Sequence, residues 1–165
     1  MITVEEKENL IKNISNDVPF ILWNFKRENY LIKRYEHYLQ IYKNKLIKTK
    51  KEIKIKDIKF NIEGCENDIK KHTERIKVIE NYYNEYIIEN LEKIDNNDFK
   101  IFILNFIVFE PNKKIKLTAS ELFHKFNHLY QDVLNYKEFN SLMKKLKLKW
   151  DCPNVLTFYG LNFNI

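Results

Sequence analysis

The last third of the chain changes its hydrophobic period from helical to strand-like. Residues 119–130 and 136–146 carry apolar side chains at three- and four-residue steps, the spacing of one helix face. Each run follows a capping pattern, Thr118 with Glu121 and then Asn135 with Glu138. Residues 147–150 and 155–163 are shorter, alternating runs separated by turn residues. The pattern predicts two helices followed by a β-hairpin.

A nearly continuous apolar run, Phe99 to Phe109, comes before these elements. It predicts a helix buried on most sides and ended by Pro111. Residues 114–117 alternate and predict a short strand. Helix, strand, helix, helix and hairpin is the order of a winged helix-turn-helix, so we expect residues 98–165 to form such a domain.

Residues 1–97 read as a helical arm. Thr3 and Glu6 form a capping box that opens a short helix, and the dense apolar cluster at 20–25 predicts a local core or a partner surface. Between residues 62 and 86 apolar and aromatic residues keep a strict three-four spacing, which indicates coiled-coil packing. The packing residues that we assign to this stripe are Ile69, Ile76, Ile79, Tyr83 and Tyr86.

Charge separates the arm into two halves. Residues 26–60 carry twelve basic and four acidic side chains, a balance of +8, whereas residues 61–97 carry five and nine, a balance of −4. Opposite charges attract when the halves fold back on each other, so an antiparallel hairpin with its turn between Ile53 and Gly64 is favoured. One unbroken helix and an antiparallel dimer of long helices satisfy the same pattern. The polar residues 95–98 predict the domain boundary.

Composition supports a mainly helical chain, because it holds only two glycines and three prolines. The net charge of +6 favours an anionic partner. No apolar run approaches the ~20 residues of a membrane span, so we expect no membrane partner and a cytoplasmic protein, or one of the host cytoplasm, nucleus or virion if its source is viral.

Candidate catalytic and metal-binding residues are few. Cys65 and Cys152 stand alone, as expected of thiols in a reducing compartment. Glu121, His124 and His128 share one helical face, but three ligands on an exposed helix lack the further ligand and dry pocket that metal chemistry needs. We therefore expect a protein that is not an enzyme and uses no cofactor or metal.

The outward face of the last predicted helix carries the candidate binding residues. Lysines at such a surface contact phosphates, Asn140 can pair with adenine, and Ser141 can bond a base or a phosphate. The full candidate set is Lys137, Asn140, Ser141, Lys144 and Lys145, followed by Lys147 and Lys149 in the next strand. The basic stretch 43–59 is instead interpreted as a solvated face neutralised by the acidic half of the arm.

The C-terminal region resembles a known domain. Its matching segments are Ala119–Phe123, Lys137–Phe139, Leu142–Leu146 and Tyr159–Leu161. These segments, within the last 65 residues or so, are similar to the C-terminal winged-helix domain of poxvirus-type and phage primase–helicases. The resemblance implies DNA binding in viral or mobile-element replication. Two features depart from that family: the chain has no GxxxxGK[ST] phosphate loop, and the predicted wing at 151–154 has no Lys or Arg.

Two functions remain open at this point. The first is a DNA-binding accessory or regulatory protein of a virus, phage or mobile element, which binds duplex DNA through its third C-terminal helix and is dimeric through its arm. The second is a scaffold or virion interaction protein that uses the arm as its contact surface, with the winged helix docking a protein partner.

Overall fold

The computed structural model describes residues 2–14, 18–111, 114–152 and 154–164, and over these the chain forms six helices and five short strands. The helices are α1 (Val4–Asn13), α2 (Val18–Lys48), α3 (Glu52–Glu92), α4 (Asn97–Phe106), α5 (Ala119–Leu129) and α6 (Tyr136–Lys145). The strands are β1 (Ile107–Phe109), β2 (Lys116–Thr118), β3 (Trp150–Asp151), β4 (Thr157–Tyr159) and β5 (Leu161–Phe163). The prediction of a mainly helical chain with a little β structure near its C-terminus is confirmed.

Helices α2 and α3 pack side by side and antiparallel. Glu28, in the first half of α2, lies against the middle of α3, where its Oε1 is 3.1 Å from Arg75 Nε. The end of α2 lies nearer the start of α3, where Lys43 Nζ is 3.3 Å from Glu66 Oε1. These cross-links are consistent with the predicted long helical hairpin.

The turn of the hairpin lies at residues 49–51, so the predicted turn between Ile53 and Gly64 is wrong. Thr49 ends α2, and its hydroxyl donates a hydrogen bond to the Lys45 carbonyl (2.8 Å). Gly64 instead lies exposed inside α3, where a glycine costs only about 1 kcal/mol and is outweighed by the packing of a long helix.

The arm-packing stripe of α3 faces the interior of this single chain. Ile79, Tyr83 and Tyr86 are buried, and Ile69 and Ile76 are half-buried. The inward positions of α1 and α2 complete this part of the core; they are Leu10, Ile14, Val18, Ile21 and Leu22.

The apolar cluster at the start of α2 divides between two environments. Ile21 and Leu22 belong to the core, whereas Phe20 and Trp23 are exposed by 51% and 56%. The two expectations for this cluster, a local core and an open surface, therefore apply to different residues within it.

The predicted helix from Phe99 to Phe109 is correct only up to Phe106, and the prediction that it is buried on most sides is wrong, because Ile101 and Leu104 are exposed by 46% and 60%. Residues 107–109 form β1, which pairs antiparallel with β5 so that Ile107 faces Phe163 and Phe109 faces Leu161. Ile107 and Val108 are β-branched, so a strand suits them once a partner strand is present. That partner comes from the far end of the chain, which local periodicity does not reveal.

The C-terminal strands also differ from the prediction. The run 155–163 divides at Gly160, whose φ of 76° turns the chain from β4 into β5. Strands β2, β4 and β3 form one antiparallel sheet in that order, while β5 pairs with β1. The predicted strand at 114–117 lies at Lys116–Thr118, and the predicted turn at 151–154 includes Pro153, which lies outside the described residues.

The predicted helix starts are confirmed at all three capping boxes. Thr3, Thr118 and Asn135 each accept a hydrogen bond from the backbone of the third helical residue, whose glutamate accepts one in return. Leu129, which its three-residue spacing from Phe126 would place on the inward face of α5, is 42% exposed, so that part of the helical pattern does not predict burial.

One continuous hydrophobic core spans the arm and the C-terminal region. Tyr83 and Ile87 of α3 join the same cluster as Phe99 and Phe102 of α4. The position of α3 is thereby fixed relative to α6 and the sheet. No helix among the described residues has both the length and the apolar character that crossing a bilayer requires.

Candidate nucleic-acid interface

Helix α6 is held in one rotation by aromatic packing around Phe139. The Phe139 ring is fully buried, with its centroid 5.5 Å from that of Phe99, 5.1 Å from that of Phe126 and 5.6 Å from that of Phe123. Met143, one turn later, is also fully buried. Because these residues occupy the inner side of α6, the residues about 180° around the helix point to solvent.

The outer side of α6 is rich in lysine. Lys137, Ser141, Lys144 and Lys145 are all exposed, as the sequence predicts. Asn140 lies on the flank, and its Oδ1 atom is buried without a hydrogen-bond partner among the described residues. In this rotamer Asn140 therefore does not present both amide atoms outward, as pairing with adenine requires.

Lys147 follows α6 in an unusual backbone conformation. Its φ of 54° lies in the left-handed region, which glycine favours at this place after a helix. The predicted strand at 147–150 is consequently reduced to β3 at Trp150–Asp151. The Lys147 side chain is exposed, while its carbonyl accepts a hydrogen bond from the Tyr86 hydroxyl of α3 (3.2 Å).

A cavity of about 360 Å³ separates the end of α3 from α6. It is lined by Asn90, Lys93, Ile94, Ser141, Lys144, Lys145 and Lys147. Sequence reasoning missed Lys93, because it belongs to the acidic half of the arm and only the fold brings it beside α6. Four of the seven lining residues are lysines and none is acidic, so the cavity attracts anions.

A second cavity, of about 380 Å³, continues from Lys147 toward the start of α2. It is lined by Val18, Pro19, Tyr86, Lys147, Leu148, Lys149 and Trp150. Trp150 is 39% exposed, and Lys144 Nζ lies 4.9 Å from the centroid of its ring. Lys149 is half-buried beside it. The two cavities and the outer side of α6 together form one continuous surface, which we call the lysine surface.

The charges of the lysine surface are not neutralised within the described parts of the chain. None of the salt bridges among the described residues involves Lys93, Lys137, Lys144, Lys145 or Lys147. The exposed residues that follow β3, Cys152, Asn154 and Val155, add no cation. In this C-terminal region the positive charge therefore lies on α6 and the segment that follows it, and not on the exposed residues between β3 and β4.

The other candidate chemistry is not assembled. Glu121 is occupied by its capping box, where hydrogen bonds from Thr118 lower the pKa of its carboxyl group. Among the described residues no three potential metal ligands cluster. Cys65 is buried, which raises the pKa of its thiol, while Cys152 is exposed.

The geometry of the lysine surface stands without support from relatives. No protein-family model matches this chain, and searches of curated proteins and of solved structures return no significant match.

Proposed function

We propose that the C-terminal region is a winged helix whose α6 binds duplex DNA. The protein would act without catalysis as an accessory or regulatory factor, in the viral, phage or mobile-element setting that its resemblance implies. Affinity comes mainly from lysines that contact phosphates on either side of a groove.

The order and pairing of the elements support the winged-helix part of the proposal. Helix α4 precedes β2, α5 and α6 follow it, and β3 and β4 return to give a sheet of order β2-β4-β3. In winged helices this arrangement leaves the second helix of the helix-turn-helix, here α6, free to enter the major groove.

One observation carries the DNA-binding part. Five exposed lysines lie on and beside the outer side of α6 without salt bridges among the described residues, opposite the buried Phe139. The exposed acid of α6, Glu138, lies in its first turn and accepts a hydrogen bond from the Asn135 backbone, so most of this surface carries one charge sign and favours an anionic partner. The five residues are Lys93, Lys137, Lys144, Lys145 and Lys147.

Replacing Lys137, Lys144 and Lys145 together by glutamine should weaken duplex binding and reduce its salt dependence. Each lost phosphate contact lowers the slope of log K against log salt by about 0.9, so the slope should fall by up to about 2.7. Fluorescence anisotropy with a labelled duplex over a salt series measures both quantities.

The matched control changes three exposed lysines near the hairpin turn, Lys54, Lys56 and Lys59, to glutamine. It removes the same net charge but leaves the lysine surface intact, so affinity and slope should change little. Equal losses in the two variants would mean that binding follows net charge alone, and the assignment to α6 would then be wrong.

Lys147→Gly separates binding from stability. Glycine adopts a φ of 54° without the Cβ strain that lysine experiences, so the free energy of unfolding should rise by about 1 kcal/mol. Duplex affinity should fall, because one exposed cation is lost from the lysine surface. Urea unfolding measures the expected gain in stability, and anisotropy measures the expected loss of duplex affinity. Unchanged affinity in a stabilised variant would mean that Lys147 does not contact the DNA.

The alternative function, a scaffold that associates through the arm stripe, has less surface available. Tyr83 and Ile79 are fully buried within one chain, and Tyr86 is 9% exposed. A self-association that depends on these residues would require the hairpin to open. Light scattering of an Ile76→Asp variant tests this alternative, which predicts a lower mass than that of the unmodified chain.

A further inference from the structure

The outer side of α2 carries a ladder of exposed aromatic rings. Phe20, Trp23, Tyr30 and Tyr38 are exposed by 51%, 56%, 64% and 37%. Their spacing places them on one side of the helix over about 27 Å, at 1.5 Å per residue. Single exposed aromatics are ordinary, but four on one side of a helix form a line of apolar groups in contact with water.

Two arginines fill the gaps in this ladder. Arg27 Cζ lies 5.7 Å from the ring centroid of Trp23, and Arg34 Cζ lies 5.5 Å from that of Tyr38. Arg34 Nε also donates a hydrogen bond to the Tyr38 hydroxyl (3.3 Å). These contacts hold each ring from one side and restrict its rotation, so a planar ligand meets a preorganised ring.

Arginine is rare in this protein, which makes its placement informative. Of 29 basic residues only three are arginine, and Arg75 is the half-buried partner of the buried Glu28. The other two both lie in the ladder. A guanidinium group stacks on planar rings and binds phosphate with two parallel donors, neither of which lysine does well.

The electrostatics of this side of α2 favour an anionic partner. Lys26 and Lys33 are exposed beside the ladder. Of the nearby acids, Glu28 is buried and paired, and Glu36 lies on the opposite side of the helix. Rings and cations without an exposed acid suit a polyanion with planar groups better than another apolar helix, which would leave the arginines unpaired.

We propose that the ladder formed by Phe20, Trp23, Arg27, Tyr30, Arg34 and Tyr38 binds single-stranded nucleic acid. Unpaired bases stack on the aromatic rings, and the arginines contact the adjoining phosphates. This site is separate from the lysine surface, although the two approach each other where Pro19, next to Phe20, lines the same cavity as Lys147 and Trp150. A duplex with a single-stranded extension could therefore occupy both.

Trp23 provides a direct probe, since the chain contains only one other tryptophan, Trp150. In a Trp150→Phe variant, titration with an oligothymidylate of about 20 nucleotides should quench the remaining fluorescence, because a base stacks on Trp23. The same titration against Trp23→Phe, which retains Trp150, should give weaker quenching. Absence of quenching in the Trp150→Phe protein at low salt would overturn the proposal.

Removal of the rings tests the site by affinity. In the full chain, Trp23→Ala with Tyr30→Ala should lower affinity for the oligothymidylate by about 10-fold or more, and leave duplex affinity and the melting temperature nearly unchanged. A second variant, Arg27→Lys with Arg34→Lys, keeps the net charge but removes the guanidinium groups. It should also weaken single-strand binding, by a smaller factor than the alanine variant.

Two results would contradict the ladder as a nucleic-acid site. The first is unchanged single-strand affinity in the alanine variant. The second is a lower mass by light scattering in that variant, which would identify the ladder as a contact between copies of the chain. Loss of duplex binding in the lysine variants alone would leave this proposal standing, because its readouts depend on α2 and not on α6.

Discussion

Replacing Glu28 by alanine should lower the free energy of unfolding by about 3–5 kcal/mol, a large share of the roughly 5–15 kcal/mol that is typical of folded proteins. Glu28 is 1% exposed between α2 and α3. Its two carboxylate oxygens lie 2.5 Å from His72 Nδ1 and 3.1 Å from Arg75 Nε. The alanine variant leaves the Arg75 charge partly buried without its partner, and this uncompensated charge accounts for most of the expected cost.

The geometry around Glu28 makes the loss hard to repair locally. Tyr35 stacks on His72 with ring centroids 5.6 Å apart, so the imidazole ring is held on one face. Arg75 Nε is buried and lacks a well-aligned hydrogen bond, which leaves its ion pair with Glu28 as the main compensation for burial. Chemical denaturation followed by circular dichroism at 222 nm measures the change in stability.

Two comparisons isolate the buried charge as the cause. Glu66→Ala removes an exposed partner of Lys43, both about half-exposed, and should cost less than about 1 kcal/mol. Replacing Glu28, His72 and Arg75 together by leucine should recover most of the lost stability, since apolar residues need no charge compensation. A Glu28→Ala protein as stable as Glu66→Ala would show that water reaches the cluster and that the charges contribute little.

The cluster also bears on function. Apolar contacts between α2 and α3 tolerate sliding, and the Lys43–Glu66 pair is exposed and weak, so the three buried or half-buried polar residues select one register of the hairpin. That register places Pro19 of α2 beside Lys147 and Trp150 of the lysine surface. Loss of the cluster should therefore disturb the lysine surface even in molecules that remain helical.

The sequence predicted helix starts well, because residues next to each other in the chain determine them. A capping box involves four consecutive residues, so the starts after Thr3, Thr118 and Asn135 could be read directly. The strand Ile107–Phe109 could not, because its partner is β5 at the opposite end of the region. The turn at 49–51 was missed because Gly64 suggested a helix break further along the chain. Packing along α3 outweighs the low helix propensity of that glycine.

In the candidate sites, too, some residues could be predicted from local sequence and others only from the tertiary fold. The outward lysines of α6 follow from the period of the apolar residues, since Phe139 and Met143 fix which side is inside. Lys93 joins them only through the tertiary fold. Of the aromatic ladder, only Phe20 and Trp23 belong to the apolar cluster that the sequence singled out, and whether Trp23 faced the core depended on which side of α2 met α3.

Gly160→Ala should destabilise the junction between the arm and the C-terminal sheets by about 2–5 kcal/mol. At φ 76° any side chain carries left-handed strain, and an added Cβ would lie 2.5 Å from the Tyr83 hydroxyl and 2.9 Å from the Glu110 carbonyl oxygen. Neither neighbour can easily move. Tyr83 is fully buried, and the Glu110 amide donates a hydrogen bond to the Gly160 carbonyl (3.0 Å).

The other glycine and the contacting tyrosine provide the decisive comparisons. Gly64 has open space around its Cα within α3, so Gly64→Ala should stabilise the protein by up to about 1 kcal/mol. The buried Tyr83 hydroxyl has no hydrogen-bond partner among the described residues, so Tyr83→Phe should also be neutral or stabilising. Combined with Gly160→Ala, it should recover part of the loss, since the contact with Glu110 and the backbone strain remain. Urea unfolding gives the change in the free energy of unfolding for each variant. If the two changes simply add in the double variant, Tyr83 does not contact residue 160, and other contacts attach the arm to the sheets.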